Sequence, residues 1–205
     1  QTIGGSVATV FGNLTASNAA GVNLASAITV TDLSLTGTTT FSDAGNQITA
    51  SGTFTQDAGT TLKLGGASAT AFPGFSTTTL TSGTVEFAAS TAQAITGGIT
   101  YNNLTISDNG SKTLGGNLAV NGILNLNKSN VSTTEGALET GAFVLTLGPA
   151  SSITGSGEVT GVVERNSFSL GTPYSFGSPN TVINISAGTI PSWIRVKITL
   201  TTDHT

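Results

Sequence analysis

The chain has 205 residues, of which 37% are hydrophobic and only 8% charged, with a formal net charge of −4. There is no basic stripe to follow a phosphate backbone, which argues against nucleic acid as a partner, and no apolar run long enough to span a bilayer as a helix, which argues against membrane insertion. Cysteine and methionine are absent, which removes disulfide, thiolate-zinc and thiol chemistry and suits an oxidising, extracellular address.

The remaining composition is Thr, Ser, Asn and Gly. Its β-branched bias favours strands, and 27 glycines supply frequent turns. Gln1-Thr-Ile-Gly-Gly5 and Phe11-Gly-Asn-Leu-Thr15 open the chain as strand and turn. The Ala-rich stretch 16–27 contains Gly21 and several Val and Asn residues, and predicts no helix. Leu24, Ile28, Val30 and Leu33-Ser-Leu35 continue the alternation of apolar and polar. A short period follows, with Ile28 to Ile48 an interval of 20 and Leu33 to Phe54 one of 21. The stretch Ala69 to Thr79, containing Phe72-Pro73-Gly74-Phe75, breaks the pattern and predicts a longer loop leaving the coil.

Beyond residue 83 the short period sharpens. Leu104, Leu124 and Leu145 are separated by 20 and 21 residues, and so are Ile106, Leu126 and Leu147, and Leu118, Leu138 and Val159. One extra residue between Leu138 and Leu145 accounts for the step in all three columns. A recurrence near 20 predicts coils stacked on coils, a solenoid. Turn residues separate the strands: Asp108-Asn-Gly110, Gly115-Gly-Asn117, Asn121-Gly122 and Gly155-Ser-Gly157. Because equivalent residues recur once per coil, parallel stacking is favoured over an antiparallel sandwich or barrel, the alternative reading.

A longer repeat overlies the short one. Phe11 to Thr15 matches Tyr101-Asn-Asn-Leu-Thr105, and Leu24, Ile28 and Val30 match Leu114, Leu118 and Val120, all at an offset of 90. Leu33-Ser-Leu35 matches Leu124-Asn-Leu126 one residue later. The expected fold is therefore all-β: a right-handed parallel β-solenoid (β-helix) over 1–165, built from two related modules of about 90 residues, 1–80 and 83–165. Roughly eight coils at about 4.8 Å each would extend on the order of 40 Å. After Arg165 the texture changes, with three of the five prolines and Trp193. Ile194 to Leu200 alternates strictly, with Val182-Ile-Asn-Ile185 as its expected partner. Residues 166–205 read as an antiparallel sheet or sandwich-like segment, either a cap on the last coil or the start of a further domain cut short. The missing initiator Met makes Gln1 an expected processed terminus or the start of a piece of something longer.

The run Gly83-Thr-Val-Glu-Phe87, Gln93-Ala-Ile-Thr-Gly-Gly98, Tyr101 to Ile106, Leu114 to Gly122, Leu145-Thr-Leu-Gly148 and Ser152 to Gly157 resembles repeat modules of large secreted, adhesin-like or autotransporter-like β-solenoid surface proteins of Bacteroidetes. Gly161-Val-Val-Glu-Arg165 before a Phe/Pro/Gly-rich segment fits the same pattern. The resemblance covers nearly the whole chain, more loosely over 1–80. It implies secretion, a place at the bacterial cell surface and a structural role, and it brings no catalytic motif; the C-terminal secretion signal often found with such modules is not visible.

Candidate chemistry is thin. His204, the only histidine, lies next to the end and reads as a tail residue. Asp43, Asp57 and Asp108 sit in turns and read as turn formers, with weak Ca²⁺ binding as the rival. Asp32 and Glu86 stand alone, Glu135 and Glu139 flank a Gly-Ala-Leu, and Glu158 and Glu164 lie near Arg165. None forms the dense acidic cluster of a polysaccharide-cleaving cleft. Thr29-Val-Thr31, Thr36-Gly-Thr38 and Thr53-Phe-Thr55 suggest a regular hydroxyl face of the kind that binds ice, but their register shifts, which favours solvated strands. Asn-x-Ser/Thr triplets at Asn13, Asn103, Asn109, Asn127, Asn130 and Asn184 are expected by chance in such a chain, with Asn103 pointing into a turn or stacking in a ladder. Tyr174 and Trp193 are either cap packing or a sugar-stacking patch.

These readings lead to an expected structural, non-enzymatic surface module: an adhesin stalk or a self-assembling filament or surface-layer subunit. No catalytic, cofactor or metal residue is assigned. The expected partners are copies of itself or other surface proteins, with glycans as a further class. The alternative is a carbohydrate-binding or polysaccharide-degrading β-helix.

Overall fold

The computed structural model describes residues 1–127 and 137–200. These residues are strands, turns and bends without a helix, and the strands stack in parallel coils to form a β-solenoid. The chain divides into two compact units, Gln1–Gln93 and Ala94–Thr205.

In the first unit one face is the ladder Thr2–Ile3, Val22–Leu24, Thr40–Ser42, Thr61–Leu64 and Thr84–Phe87, every pairing parallel. The long strand Thr9–Ala16 lies on Ile28–Leu35 and turns a corner with it. Beyond the corner two ladders separate: Ile28–Leu35 continues onto Ile48–Ala50 on one side and onto Thr53–Gln56 and Thr77–Thr79 on the other. Alternation sends every second side chain inward. Val22, Phe41, Leu62 and Val85 stack in one internal column, and Leu33 stacks on Phe54. Ile28–Ile48 and Leu33–Phe54 pair at the intervals expected from sequence.

The stretch 69–79 differs from its expectation. The loop packs back on the coil instead of leaving it, because three phenylalanines supply their own apolar cluster. Phe72 and Phe75 lie 5.8 and 5.3 Å from Phe54, ring centre to ring centre, and Phe72 is buried.

In the second unit Asn103–Ser107, Ile123–Asn127 and Ser152–Gly155 form one parallel ladder. Thr100–Tyr101, Leu118–Val120 and the later part of Leu138–Leu147 form another, ending on Val159–Arg165. Three expected pairings hold: Leu104 on Leu124, Ile106 on Leu126, and Leu138 on Val159. Three do not. Leu124 stacks on Ile153, and both Leu145 and Leu147 lie on the neighbouring ladder, against Leu118 and Val120. The apparent constant period therefore crosses from one face to another. Each face presents the same Leu-x-Leu signature, so spacing alone does not separate them, and register follows the hydrogen-bond ladder.

The offset-90 match has a local counterpart in each unit. Phe11 to Leu14 and Tyr101 to Leu104 both straddle a corner between inward-facing positions. The one-residue slip also falls at a corner, Thr31-Asp32 in one case and Asn121-Gly122-Ile123 in the other.

The C-terminal segment is antiparallel, with partners different from those expected. Ile194–Ile198 pairs with Val159–Arg165, and Val182–Asn184 pairs with Pro173–Ser175. The last coil offers an open row of backbone donors and acceptors, and the alternating strand Ile194–Ile198 satisfies them better than a short hairpin partner would.

Candidate functional site

The corners of the coils carry a recurrent device. Asp32 Oδ1 accepts the Thr53 N–H at 2.7 Å, Asn103 Oδ1 accepts the Ile123 N–H at 2.9 Å, and Thr140 Oγ1 accepts the Val162 N–H at 2.7 Å. In each case the donor follows a glycine, Gly52, Gly122 or Gly161, whose missing side chain leaves the room that the polar group fills. A Cβ there would collide with Asp32 Oδ1, Asn103 Oδ1 or Thr140 Oγ1 respectively. A polar side chain on one coil thus closes over a glycine on the next and satisfies a backbone donor that the corner takes out of the ladder. Asn103 therefore points at the corner turn before Ile123 and does not stack in an Asn ladder.

Interior polar groups also join coil to coil. Asp43 is fully buried. Its Oδ1 accepts the Gly45 and Gly65 N–H groups at 2.9 and 2.7 Å, and its Oδ2 accepts the Thr70 hydroxyl. Burial nevertheless pushes its carboxyl above the ordinary value, because desolvation outweighs the Thr70, Gly45 and Gly65 hydrogen bonds. Gln93, also buried, donates to Leu64 O and Thr70 O at 3.1 and 2.9 Å and accepts the Ala89 N–H at 3.0 Å. Asp43 and Gln93 both hold the loop at Thr70, the first through its hydroxyl and the second through its carbonyl.

At the last coil Arg165 is 1% exposed. Its guanidinium donates to three backbone carbonyls: Ser175 (2.9 Å), Gly148 (2.9 Å) and Ser151 (3.0 Å). The Tyr174 and Phe176 rings each lie 5.7 Å from its central carbon. Burial pulls its pKa down to about 10, so it keeps its charge at neutral pH. This arginine ties the strand Pro173–Ser175 to the end of the coil through charge-assisted hydrogen bonds and ring faces.

The acidic candidates do not converge. Glu86 pairs with Lys63 at 3.1 Å, and Glu164 with its cross-strand neighbour Arg195 at 2.8 Å. Asp57 Oδ2 accepts the Gly37 N–H at 3.4 Å, and Asp108 sits at a positive φ of 63°. Glu139 lines a shallow groove with Thr160 and Lys197, and Glu158 is half-buried elsewhere on that unit. Among the described residues no three acidic or histidine side chains gather as a metal site. Glu135, Asn130 and His204 lie outside the described residues.

The aromatic patch divides. Tyr174 is buried, with its ring 5.0 Å from Phe168 and its hydroxyl accepting the Ser169 N–H, so it belongs to the packing. Trp193 is 58% exposed, with Arg195 over its ring.

Comparison with protein-family models, with curated proteins and with solved structures finds no match.

One feature of the geometry escaped the sequence. On the first unit, Thr15, Ser34, Thr55 and Thr79 fall in one outward column. Asn13 and Asp32 lie side by side in the next column, as do Thr53 and Thr77. Of the three Thr-x-Thr runs seen in sequence, only Thr53-Phe-Thr55 belongs here. The successive intervals, Thr15 to Ser34, Ser34 to Thr55 and Thr55 to Thr79, are 19, 21 and 24 residues, and that drift hides the alignment.

Proposed function

We propose that this chain is a structural module of an extracellular surface protein: a stiff spacer or assembly subunit that performs no catalytic step. The observation that supports it is the destination of the sequestered polar groups. Asp43, Gln93 and Arg165, together with the corner residues Asp32, Asn103 and Thr140, hydrogen-bond to backbone on neighbouring coils or segments. Groups held in this way add specificity and rigidity to a stack whose coils otherwise contact only their neighbours. The extracellular setting rests on the resemblance to secreted surface repeats, and on a sulfur-free chain of low charge.

Negative-stain electron microscopy of the purified protein over a range of concentrations tests the reading. Discrete short rods would make it a spacer or stalk, and long uniform fibres would make it a filament subunit that stacks end to end. Compact round particles at every concentration would sink the proposal.

A further inference from the structure

We infer that the outward face of the first unit formed by Asn13, Thr15, Asp32, Ser34, Thr53 and Thr55 is a binding groove for a neutral polysaccharide chain lying along the stacking direction. These side chains, with Leu14 and Leu33 beneath them, line a shallow groove of about 280 Å³. Hydroxyls and the amide both donate and accept, and the carboxylate accepts, which together is the inventory that a polyol's hydroxyls need. Rungs repeat at about 4.8 Å along the stack, close to the length of one sugar residue in an extended chain.

The array is already in place before a ligand arrives. Thr55 Oγ1 donates to Ser34 Oγ at 3.2 Å, and Asp32 Oδ1 is fixed by the Thr53 N–H at 2.7 Å. The Asn13 amide, with its nitrogen toward Asp32, donates to Oδ2 at 2.8 Å. Little side-chain freedom is therefore lost on binding.

The charge selects among ligands. Asp32 is the one charged residue lining the groove, and no cation lies with it, so an acidic polysaccharide is repelled. A planar ice lattice fits less well than a chain. The surface is recessed, and Asp32 and Asn13 interrupt the uniform hydroxyl and methyl pattern such a lattice would meet. Trp193, the sugar-stacking candidate from sequence, is not among the groove's lining residues. Each sugar is held by hydrogen bonds without ring stacking, so affinity comes from many weak contacts along a long chain.

Affinity electrophoresis of the full chain tests this, in native gels containing hydroxyethylcellulose, xyloglucan, laminarin or dextran, with alginate as the acidic comparator. At least one neutral polymer should retard the wild type and alginate should not. Ser34→Arg/Thr55→Arg should weaken that retardation about tenfold or more by removing two hydroxyl rungs. Thr49→Arg, on the outward side of a different ladder, should leave it unchanged, and matching circular dichroism and melting curves would show that both variants fold. Retardation by none of the four neutral polymers overturns the inference, as does equal retardation of the double variant. Inhibition of ice recrystallisation without polysaccharide retardation would also overturn it, and would assign the face to a water lattice instead.

Discussion

Asp43 offers the sharpest test of how the coils are held. Its carboxylate accepts from Gly45, Gly65 and Thr70, with every atom away from water. Asp43→Ala leaves three donors, two of them buried, without their carboxylate partner. At about 1 kcal/mol each that is a loss of roughly 3 kcal/mol, with more if the Thr70 loop opens. Asp43→Asn should behave differently. Its Oδ1 can keep both N–H groups, and its amide can donate to the Thr70 hydroxyl, which then accepts, so the cost should stay within about 1 kcal/mol. The pH dependence has a definite sign. The folded carboxyl titrates above its ordinary value of 3.8 because desolvation dominates. Between the unfolded and folded values the native state therefore binds more protons than the unfolded state. This residue's contribution is most favourable below 3.8 and is lost as pH rises through the raised value. Urea denaturation across that window, wild type against Asp43→Asn, isolates the effect. The asparagine variant should gain relative stability as pH rises towards neutrality. An asparagine variant as damaged as the alanine one, or a wild type whose relative stability rises with pH, would refute the reasoning.

Arg165→Met should lower stability by about 2–3 kcal/mol: three carbonyls lose a donor and two rings lose a cation, partly offset by removal of a buried charge. Near-UV circular dichroism should report the disturbance at Tyr174, and an unchanged signal would count against the arginine's anchoring role. Leu124→Asp should cost at least about 4 kcal/mol by burying a charge, against about 0.5 kcal/mol for Thr105→Asp on the outward face of the same ladder; equal denaturant midpoints would mean the facing is wrong. Asn103→Ala should cost about 1 kcal/mol and Gly122→Ala about 1–3 kcal/mol. The double variant should cost less than their sum, because removing the asparagine side chain takes away the nearest atom that the methyl at 122 meets, leaving only its crowding against Asn102. Strict additivity would contradict the clasp.

Much of the fold was legible in the chain. Alternation showed which residues face inward, and Ile28–Ile48, Leu33–Phe54 and Leu104–Leu124 stack at the expected intervals. What was not legible was which face a strand belongs to. Leu145-Thr-Leu147 reads like Leu124-Asn-Leu126, yet it stacks on Leu118 and Val120. Two Leu-x-Leu strands on different faces bury the same groups, so composition does not distinguish them, whereas one continuous ladder does. The same blindness hid the column Thr15, Ser34, Thr55 and Thr79, whose members align only once coil lengths are known. The Gly161–Arg165 motif did not reveal the role of Arg165, because its carbonyl partners lie in two other segments, the turn 148–151 and the strand Pro173–Ser175, that no spacing rule brings to it. The strand Ile194–Ile198 was visible as a strand, but its choice of Val159–Arg165 depends on an unpaired edge that exists only after the coils have stacked.

Engineered thiols can read the register of the parallel coils directly, because the chain has no native cysteine. Asn125 and Thr154 are register partners on adjacent coils. At a parallel strand spacing of about 4.8 Å their Cα atoms fall within the range that a disulfide bridges. Asn125→Cys/Thr154→Cys should oxidise to an intramolecular disulfide under mild conditions, seen by intact mass and non-reducing gel mobility. Asn125→Cys/Thr146→Cys, the pair that a constant 21-residue period would bring together, should remain reduced. A disulfide in the second pair and free thiols in the first would contradict the stacking on which the second unit's clasps and its anchored C-terminal segment rest.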